Sequence, residues 1–266
     1  MDITNRLKRR LRARADVPLG SWLMSAAPST AEAMGHCGFD FLVVDMEHVP
    51  LDTPQLADIL RAVKATPAEA IVRLPWNDRV MVKRALDAGA MTIMLPFVET
   101  AEEARAAVAA AKYPPDGVRG VAAVHRGSAY GAATDYLYRA NDETCVIVQI
   151  ETPEALSRLD AIAAVPGLDA IFVGPGDMAA SLGHLGRIAE PQVQKVLSDA
   201  ASRAGALDLP VGIVGPTPDM VRSFLGMGYT YAAIGSDIAL MTGRARTVLA
   251  EIAGAAGPPA TPTAGY

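Results

Sequence analysis

Eight short apolar runs, each followed by an amphipathic helical pattern, recur along the chain between residues 18 and 253. Parallel strands need such helical connections, because a tight turn can join only antiparallel neighbours. Eight units in a chain of 266 residues predict an α/β fold of the parallel (β/α)8 TIM-barrel type. An open doubly wound sheet is the alternative, but no Gly-x-Gly-x-x-Gly turn follows the first run. The predicted strands are residues 18–24, 41–45, 70–74, 91–96, 146–151, 170–174, 211–215 and 231–235.

The two ends of the chain differ from this repeat. Residues 4–14 are basic, and Leu7 and Leu11 form a thin apolar stripe typical of a peripheral helix that packs on the body or on a neighbouring subunit. Residues 254–266 are Pro, Ala, Gly and Thr, apart from the final Tyr266, without apolar periodicity, and we expect them to be disordered. Residues 1–253, including the basic helix, are therefore predicted to form a single barrel domain.

Composition excludes several classes of protein. The net charge of -5 argues against a nucleic-acid partner. No apolar run approaches the roughly 20 residues of a membrane span, and residues 1–16 lack the apolar centre of a signal peptide, so we expect a cytoplasmic protein. Cys37 and Cys145 form no ligand or disulfide spacing and are expected to be small buried hydrophobes.

Two carboxylates follow consecutive predicted strands. Glu151 ends the fifth strand and Asp177 follows the sixth, and consecutive strands of this kind lie side by side. The two side chains either cap the helices that follow or bind a divalent cation, which prefers oxygen ligands and would keep positions open for a substrate. Their place at the carboxyl ends of barrel strands, where active sites lie in this fold, favours the metal.

Other polar residues are predicted at the same face. Asp45 ends the second strand, and its carboxylate could hold the ring of His48 and raise its basicity, which makes His48 a candidate acid/base rather than a solvated histidine. Arg73 ends the third strand and either forms a structural ion pair with Asp45 or Glu47 or stabilises an oxyanion. Such a set is suited to chemistry through an enolate.

Lysine usage separates two kinds of aldolase chemistry. A Schiff-base enzyme needs a lysine that points from a strand end into the pocket. The lysines of this chain all fall on predicted helices, which disfavours imine chemistry and favours a metal-stabilised enolate. They are Lys8, Lys64, Lys83, Lys112 and Lys195.

Five strings in the chain are informative as a set. They are Val44-Asp-Met-Glu-His48, Val72-Arg-Leu-Pro-Trp-Asn-Asp78, Gly117-Val-Arg-Gly-Val121, Val148-Gln-Ile-Glu-Thr152 and Val173-Gly-Pro-Gly-Asp-Met-Ala-Ala-Ser-Leu-Gly183. In this order they resemble the motifs of the HpcH/HpaI family of metal-dependent class II pyruvate aldolases. The resemblance runs from about Leu19 to Arg244.

The resemblance implies reversible cleavage of a 4-hydroxy-2-oxo acid to pyruvate and an aldehyde through a metal-bound pyruvate enolate. It implies that Glu151 and Asp177 bind the divalent cation, which would be Mg, Mn, Co or Zn. It also implies that His48, paired with Asp45, is the acid/base and that Arg73 holds the enolate oxygen.

Further roles are implied by the same resemblance. Gln149 would support the metal site, and the backbone N–H groups of Gly176 and Asp177, near a helix start, would receive the substrate carboxylate. A side chain larger than Gly176 is common in the family, so this chain is expected to have a wider pocket. Members form homohexamers, in which the last helix, residues 238–253 here, packs on a neighbouring subunit.

By the same resemblance, variable loops bind the aldehyde half of the substrate. Trp22, Val124 and Val214 are candidates to line that side, with Trp22 equally suited to the core. Arg126 either reaches the distal end of a substrate or forms a structural ion pair.

Two alternatives to an aldolase stay open at this point. One is a CoA-ester lyase or decarboxylase-like enzyme of the same barrel superfamily, although no basic cluster for a nucleotide is visible. The other is a barrel that binds a keto acid without catalysis. The complete polar set argues against the second.

Overall fold

The computed structural model describes residues 3–254, and its centre is a closed barrel of eight parallel strands in chain order. Pairing of the first strand with the last closes the ring. The (β/α)8 prediction is confirmed, and each predicted strand boundary lies within one residue of the observed one. The strands are β1 (Leu19–Leu23), β2 (Phe41–Asp45), β3 (Glu69–Arg73), β4 (Thr92–Leu95), β5 (Cys145–Ile150), β6 (Ala170–Val173), β7 (Val211–Gly215) and β8 (Tyr231–Ser236).

Helices surround the barrel and precede it. They are α1 (Arg6–Ala13), α2 (Pro28–Gly35), α3 (Thr53–Lys64), α4 (Arg79–Asp87), α5 (Ala101–Ala111), α6 (Tyr136–Glu143), α7 (Pro153–Ser157), α8 (Leu159–Ala163), α9 (Pro175–Ser181), α10 (Pro191–Ala206), α11 (Pro218–Gly226) and α12 (Asp237–Ile252).

Two expectations about helices are corrected. The segment 113–143, predicted to be irregular, contains a 3₁₀ turn at Arg126–Gly131 and helix α6, which buries only Tyr136 and Ala140 and so leaves a weak apolar period. The helix predicted after β5 is two five-residue helices, α7 and α8, because the backbone at Arg158 leaves the helical conformation.

The barrel interior is filled by alternate residues of the strands, as the period of two requires. Aromatic rings dominate this layer: Trp22 meets Phe172 edge-on at 6.0 Å between centroids, and Phe41 meets Tyr231 at 6.1 Å. Gly212 on β7 leaves room for them, since a Cβ there would overlap the Tyr231 ring. The interior is therefore a packed core rather than a channel.

The same alternation carries polar side chains to the carboxyl end of the barrel. Asp45 and Arg73 lie two residues beyond interior Val43 and Ile71, and they are direct Cα partners across β2 and β3. Gln149 occupies the corresponding place on β5 and is buried. Side chains that continue the inward-facing rows thus converge over one end of the core.

Helix α1 closes the opposite end of the barrel. Leu7 and Leu11 are 1% and 2% exposed and pack with the barrel interior, which confirms the expected peripheral helix. The Lys8 Nζ donates to the carbonyl of Thr144 at 2.7 Å and lies 3.2 Å from Asp169 Oδ1. The basic helix is therefore held by both apolar packing and a buried ion pair.

Lys112 is buried beside this ion pair. Its Nζ donates to the carbonyls of Asn141 and, at 3.1 Å, Thr144. Burial, and then the charge of Lys8, lowers the pKa of Lys112 from 10.5 to about 8. Between these two pH values the unfolded chain binds more protons than the folded protein, so this group makes stability rise with pH.

The two cysteines differ in exposure, and the membrane and terminal expectations concern other parts of the chain. Cys145 is buried as predicted, but Cys37 is exposed, because it lies in the turn after α2 rather than on an apolar face. No helix among residues 3–254 is long and apolar enough to cross a lipid bilayer. The predicted disorder of residues 254–266 concerns positions that, beyond Gly254, lie outside the described residues.

We predict that replacing Lys112 with Met removes a component of the pH dependence of stability. Between pH 8 and 9.5 the free energy of unfolding of the wild type should gain up to about 1.4 kcal/mol per pH unit relative to K112M. Urea denaturation at three pH values measures this difference. The exposed Lys195 provides the control, since K195M should keep the wild-type slope. Parallel curves for K112M and wild type would contradict the prediction.

Candidate active site

A buried ion-pair cluster lies at the carboxyl ends of β2 and β3. The Arg73 Nε and Nη2 donate to the two carboxylate oxygens of Asp45 at 2.9 and 2.7 Å, and Nη1 lies 3.0 Å from Glu47 Oε2. The Trp22 ring packs against the guanidinium, 4.2 Å from its carbon to the ring centroid. Arg73 and Asp45 are fully buried, so each charge depends on the other.

Asp45 contacts His48 differently from what we expected. Its Oδ1 accepts the backbone N–H groups of Glu47 at 3.0 Å and of His48 at 3.4 Å. The predicted contact between this carboxylate and the imidazole ring is therefore replaced by contacts to the backbone. The physical reason is the strand register, which places Arg73 directly opposite Asp45, so that its guanidinium binds both carboxylate oxygens.

Glu47 links the ion-pair cluster to His48. Its Oε2 lies 4.0 Å from the Nε2 of His48, whose side chain is 52% exposed. Burial raises the pKa of the Glu47 carboxyl, while the positive charge of Arg73 opposes that shift. Sequence reasoning named Glu47 only as a possible ion-pair partner of Arg73. The string Asp-x-Glu-His contained the signal, but not the direction of each side chain.

A second buried carboxylate lies at the end of β5. Glu151 is 1% exposed, its Oε1 accepts from Gln149 Nε2 at 3.0 Å, and its Oε2 accepts from the backbone N–H of Phe97 at 2.9 Å. The pKa of Glu151 is raised to about 8, chiefly by burial and also by the charge of Asp177, while the Phe97 hydrogen bond opposes the rise. A positive group beside Glu151 would stabilise the ionised form.

The surroundings of Glu151 are shaped for a close fit. A Cβ at Gly174 would lie 2.5 Å from Glu151 Oε1, so only glycine leaves room for the carboxylate. Phe97 holds its N–H toward the site with a left-handed backbone, φ 48°, and its ring stacks on Trp76 at 6.4 Å. Sequence reasoning missed Phe97 because its contribution is a backbone N–H from the loop after β4.

These residues fit a divalent cation. Gln149 Oε1 is buried and accepts no hydrogen bond within the described residues. Together with the carboxylates of Glu151 and Asp177 it offers the oxygen donors that hard cations prefer. Within residues 3–254, no group of three or more His, Cys, Asp or Glu side chains could hold a metal ion. A cation here would accordingly have few protein ligands and open positions.

A cavity of about 220 Å³ opens at this face, and His48, Asp177 and Val214 are among its lining residues. Helix α9 begins at Pro175, two residues before the expected start, and its first backbone bond runs from Met178 to Gly174. The N–H groups of Gly176 and Asp177 precede that bond, in the first turn, where helices attract anions. The prediction of N–H groups near a helix start therefore agrees with the geometry.

The expected pocket residues fall in different places. Val214 lines the cavity, and a Cβ at Gly176 would meet no atom within 4 Å, which agrees with a widened pocket. Trp22 is 0% exposed and belongs to the barrel core, where it supports Arg73. Val124 is 70% exposed and does not line this cavity.

Arg126 does not reach the cavity described above. Its Nη1 donates to the carbonyl of Ala88 at 2.8 Å, next to Gly89 and just before β4 begins. That point is at the amino end of the strands, on the far side of the barrel from Asp177. Arg126 forms no ion pair with a carboxylate of residues 3–254, and the 3₁₀ turn that carries it contacts α4.

The chain is similar to known proteins over most of its length. The family model described as HpcH/HpaI aldolase/citrate lyase matches residues 19–243. The chain is 53% identical to the 2-dehydro-3,6-dideoxy-6-sulfogluconate aldolase of Pseudomonas putida, over 94% of this chain and 98% of that protein. It is 44% identical to the 5-keto-4-deoxy-D-glucarate aldolase of Salmonella newport, over 88% and 91%.

Solved structures give the same result. An HpcH/HpaI aldolase/citrate lyase family protein from Burkholderia cenocepacia superposes with a TM-score of 0.92 at 41% identity, over 94% of this chain and 100% of the other. A citrate lyase β subunit from M. tuberculosis, complexed with oxaloacetate and magnesium, has a TM-score of 0.58 at 18% identity over 89% of this chain and 98% of that chain, which shows the shared fold alone.

The curated relatives cover most of both chains at high identity and are aldolases. The protein is accordingly an aldolase, a carbon–carbon lyase that acts on small molecules. The family model and these relatives show that the chain belongs to the HpcH/HpaI aldolase/citrate lyase family.

Proposed function

We propose that this aldolase requires a divalent cation and reversibly cleaves a 4-hydroxy-2-oxo acid to pyruvate and an aldehyde. The observation that carries the proposal is the buried Glu151 carboxylate, with a pKa raised to about 8, at the same strand ends as the buried Arg73 cluster. Both relatives named above act on acidic sugar derivatives, which is the substrate class proposed here.

Glu151 and Asp177 would hold the cation, which would be Mg, Mn, Co or Zn. When bound, the cation supplies a Lewis acid that draws electrons from a keto oxygen. Gln149 orients Glu151 through its amide N–H, and its buried Oε1, which accepts no hydrogen bond among the described residues, is available to a cation. The Phe97 N–H fixes the other oxygen of Glu151, so the carboxylate is oriented before any substrate arrives.

Arg73 supplies a permanent positive charge near the reacting carbonyl. Asp45 and Trp22 hold the guanidinium in place, so it need not reorganise as negative charge develops on the enolate oxygen. The N–H groups of Gly176 and Asp177, at the start of α9, receive the substrate carboxylate. Binding of this group orients the rest of the substrate toward His48.

His48 is the proposed acid/base. Its ring lines the cavity and is half exposed, so it can reach a substrate hydroxyl directly or through one water. In cleavage it takes the proton of the 4-hydroxyl and then gives a proton to C3 of the enolate, which yields pyruvate. In condensation it takes a proton from the pyruvate methyl group and gives it to the new alkoxide. Glu47, rather than Asp45, is the carboxylate beside its ring.

The proposed assembly is a homohexamer in the cytoplasm. Helix α12 exposes several large apolar side chains, which supports its packing against a neighbouring subunit. They are Ile238, Leu240, Met241, Leu249 and Ile252.

The first test of the proposal is proton exchange. With Mg²⁺, Mn²⁺ or Co²⁺ present, the protein should exchange the methyl protons of pyruvate with D₂O, as followed by proton NMR, because enolate formation is the shared half-reaction. A chelator should stop the exchange and added metal should restore it. Absence of exchange with all three cations would rule out the proposed chemistry.

The metal site is tested by replacing Glu151 with Gln, which keeps the shape and removes the charge. Exchange should slow by more than about 100-fold, and Mn²⁺ affinity measured by electron paramagnetic resonance should fall in parallel. E154Q changes an exposed carboxylate three residues away and should behave as wild type. Unchanged Mn²⁺ affinity in E151Q would remove Glu151 from the metal site.

The acid/base is tested by replacing His48 with Ala. We expect pyruvate exchange to slow by about 100-fold or more, with Mn²⁺ affinity unchanged, because the ring moves a proton and does not bind the cation. The matched control is H36A, which removes an exposed histidine after α2. Exchange by H48A at the wild-type rate would make His48 a bystander.

A further inference from the structure

A second cavity, of about 310 Å³, lies at the amino end of the barrel strands, opposite the candidate active site. The second half of α3, the first residues of β3, the residues just before β4, and α6 form its walls. Leu60, Val63, Ala70 and Met91 give it a largely apolar surface. It is large enough for a small organic molecule.

Arg126 places a positive charge in this apolar cavity. Its side chain is half-buried, and the one acceptor found for it is the Ala88 carbonyl. None of the carboxylates in residues 3–254 forms an ion pair with it, and burial, followed by the charge of Arg61, lowers its pKa. A half-buried guanidinium without a counter-charge is costly and would bind an anion favourably.

The position of Arg126 is built into the fold. Gly89, with φ of 103°, lies against the guanidinium, and a Cβ at that position would overlap Arg126 Nη1. The neighbouring lining residues Ala129 and Tyr130 have left-handed backbones, with φ of 51° and 58°. Such conformations are unfavourable in non-glycine residues and tend to gather at functional sites.

The other charges around the cavity leave a positive surplus. Its two carboxylates are already neutralised, Glu69 by Arg6 and Glu143 by Arg9 at 3.0 Å and by Arg139 at 3.3 Å. Arg61 is paired with Asp58 outside the cavity, and its Nη2 reaches the hydroxyl of Tyr130 at 3.4 Å. Lys64 adds another cation at the rim. An anion entering the cavity therefore meets Arg126 and no opposing free carboxylate among the described residues.

We propose that this cavity is a binding site for a small organic carboxylate with an apolar or aromatic body, separate from the active site. The carboxylate binds the Arg126 guanidinium, and the body packs on Leu60, Val63 and Met91. An aliphatic or aromatic monocarboxylate satisfies both the Arg126 charge and the apolar walls, whereas a sugar acid would leave its hydroxyl groups unpaired.

The probe for this site is 4-bromobenzoate, measured by isothermal titration calorimetry on the chelator-treated full-length protein. Replacing Arg126 with Met should weaken binding by at least about tenfold, the loss expected for one charge-assisted contact. R105M changes an exposed arginine on α5 and should bind as wild type. Acetate, which lacks the body, should bind at least about tenfold more weakly than the probe.

Two further measurements separate this site from the active site. E151Q should bind 4-bromobenzoate with wild-type affinity, so a failure of the proposed aldolase chemistry leaves this result unaffected. Anomalous scattering from bromine in a crystal should place the probe beside Arg126. Should R126M fail to fold, R126K keeps the charge and should retain weakened binding.

The proposal is overturned by equal probe affinity in R126M and wild type, or by the absence of binding to the wild type. Bromine sites only at the strand carboxyl ends would overturn it too. So would a crystal in which a second copy of the chain fills the cavity.

Discussion

The buried pair of Arg73 and Asp45 is the interaction on which the carboxyl end of the barrel depends. Two full charges at 0% exposure are tolerated because the guanidinium fork matches the carboxylate, Glu47 lies 3.0 Å from Nη1, and the Trp22 ring packs against the guanidinium. Removal of either partner would leave the other charge buried and unpaired, which would lower the free energy of unfolding by about 3–5 kcal/mol. The pair also requires that β2 and β3 keep their register, since a slip would turn one side chain outward.

The two ends of the barrel divide the work of the protein. At the amino end, α1 closes the core with Leu7, Leu11 and the Lys8–Asp169 pair. At the carboxyl end, the inward-facing rows of side chains end in polar groups that bind one another. Glu151, at the same end, has few hydrogen-bond partners. The second cavity is an exception, because the unpaired guanidinium of Arg126 lies at the amino end of the barrel, which otherwise stabilises the fold.

Much of the fold followed from the sequence because the relevant signals are local. Apolar runs such as residues 211–215 stand out against the helices around them, and strand boundaries could be read to within a residue. Helix α6 was missed because just Tyr136 and Ala140 are buried on it. The division between α7 and α8 was missed because nothing in residues 153–165 marks the backbone turn at Arg158.

The sequence by itself determined the (β/α)8 architecture, the family and the set of polar residues at strand ends, because periodicity and motif order are properties of the linear sequence. The tertiary structure alone decided which of those residues touch. Asp45 binds Arg73 rather than the His48 ring, the Phe97 N–H reaches Glu151, and Arg126 lies at the opposite end of the barrel. Each of these contacts joins residues brought together by strand register or loop path, and spacing along a sequence contains neither.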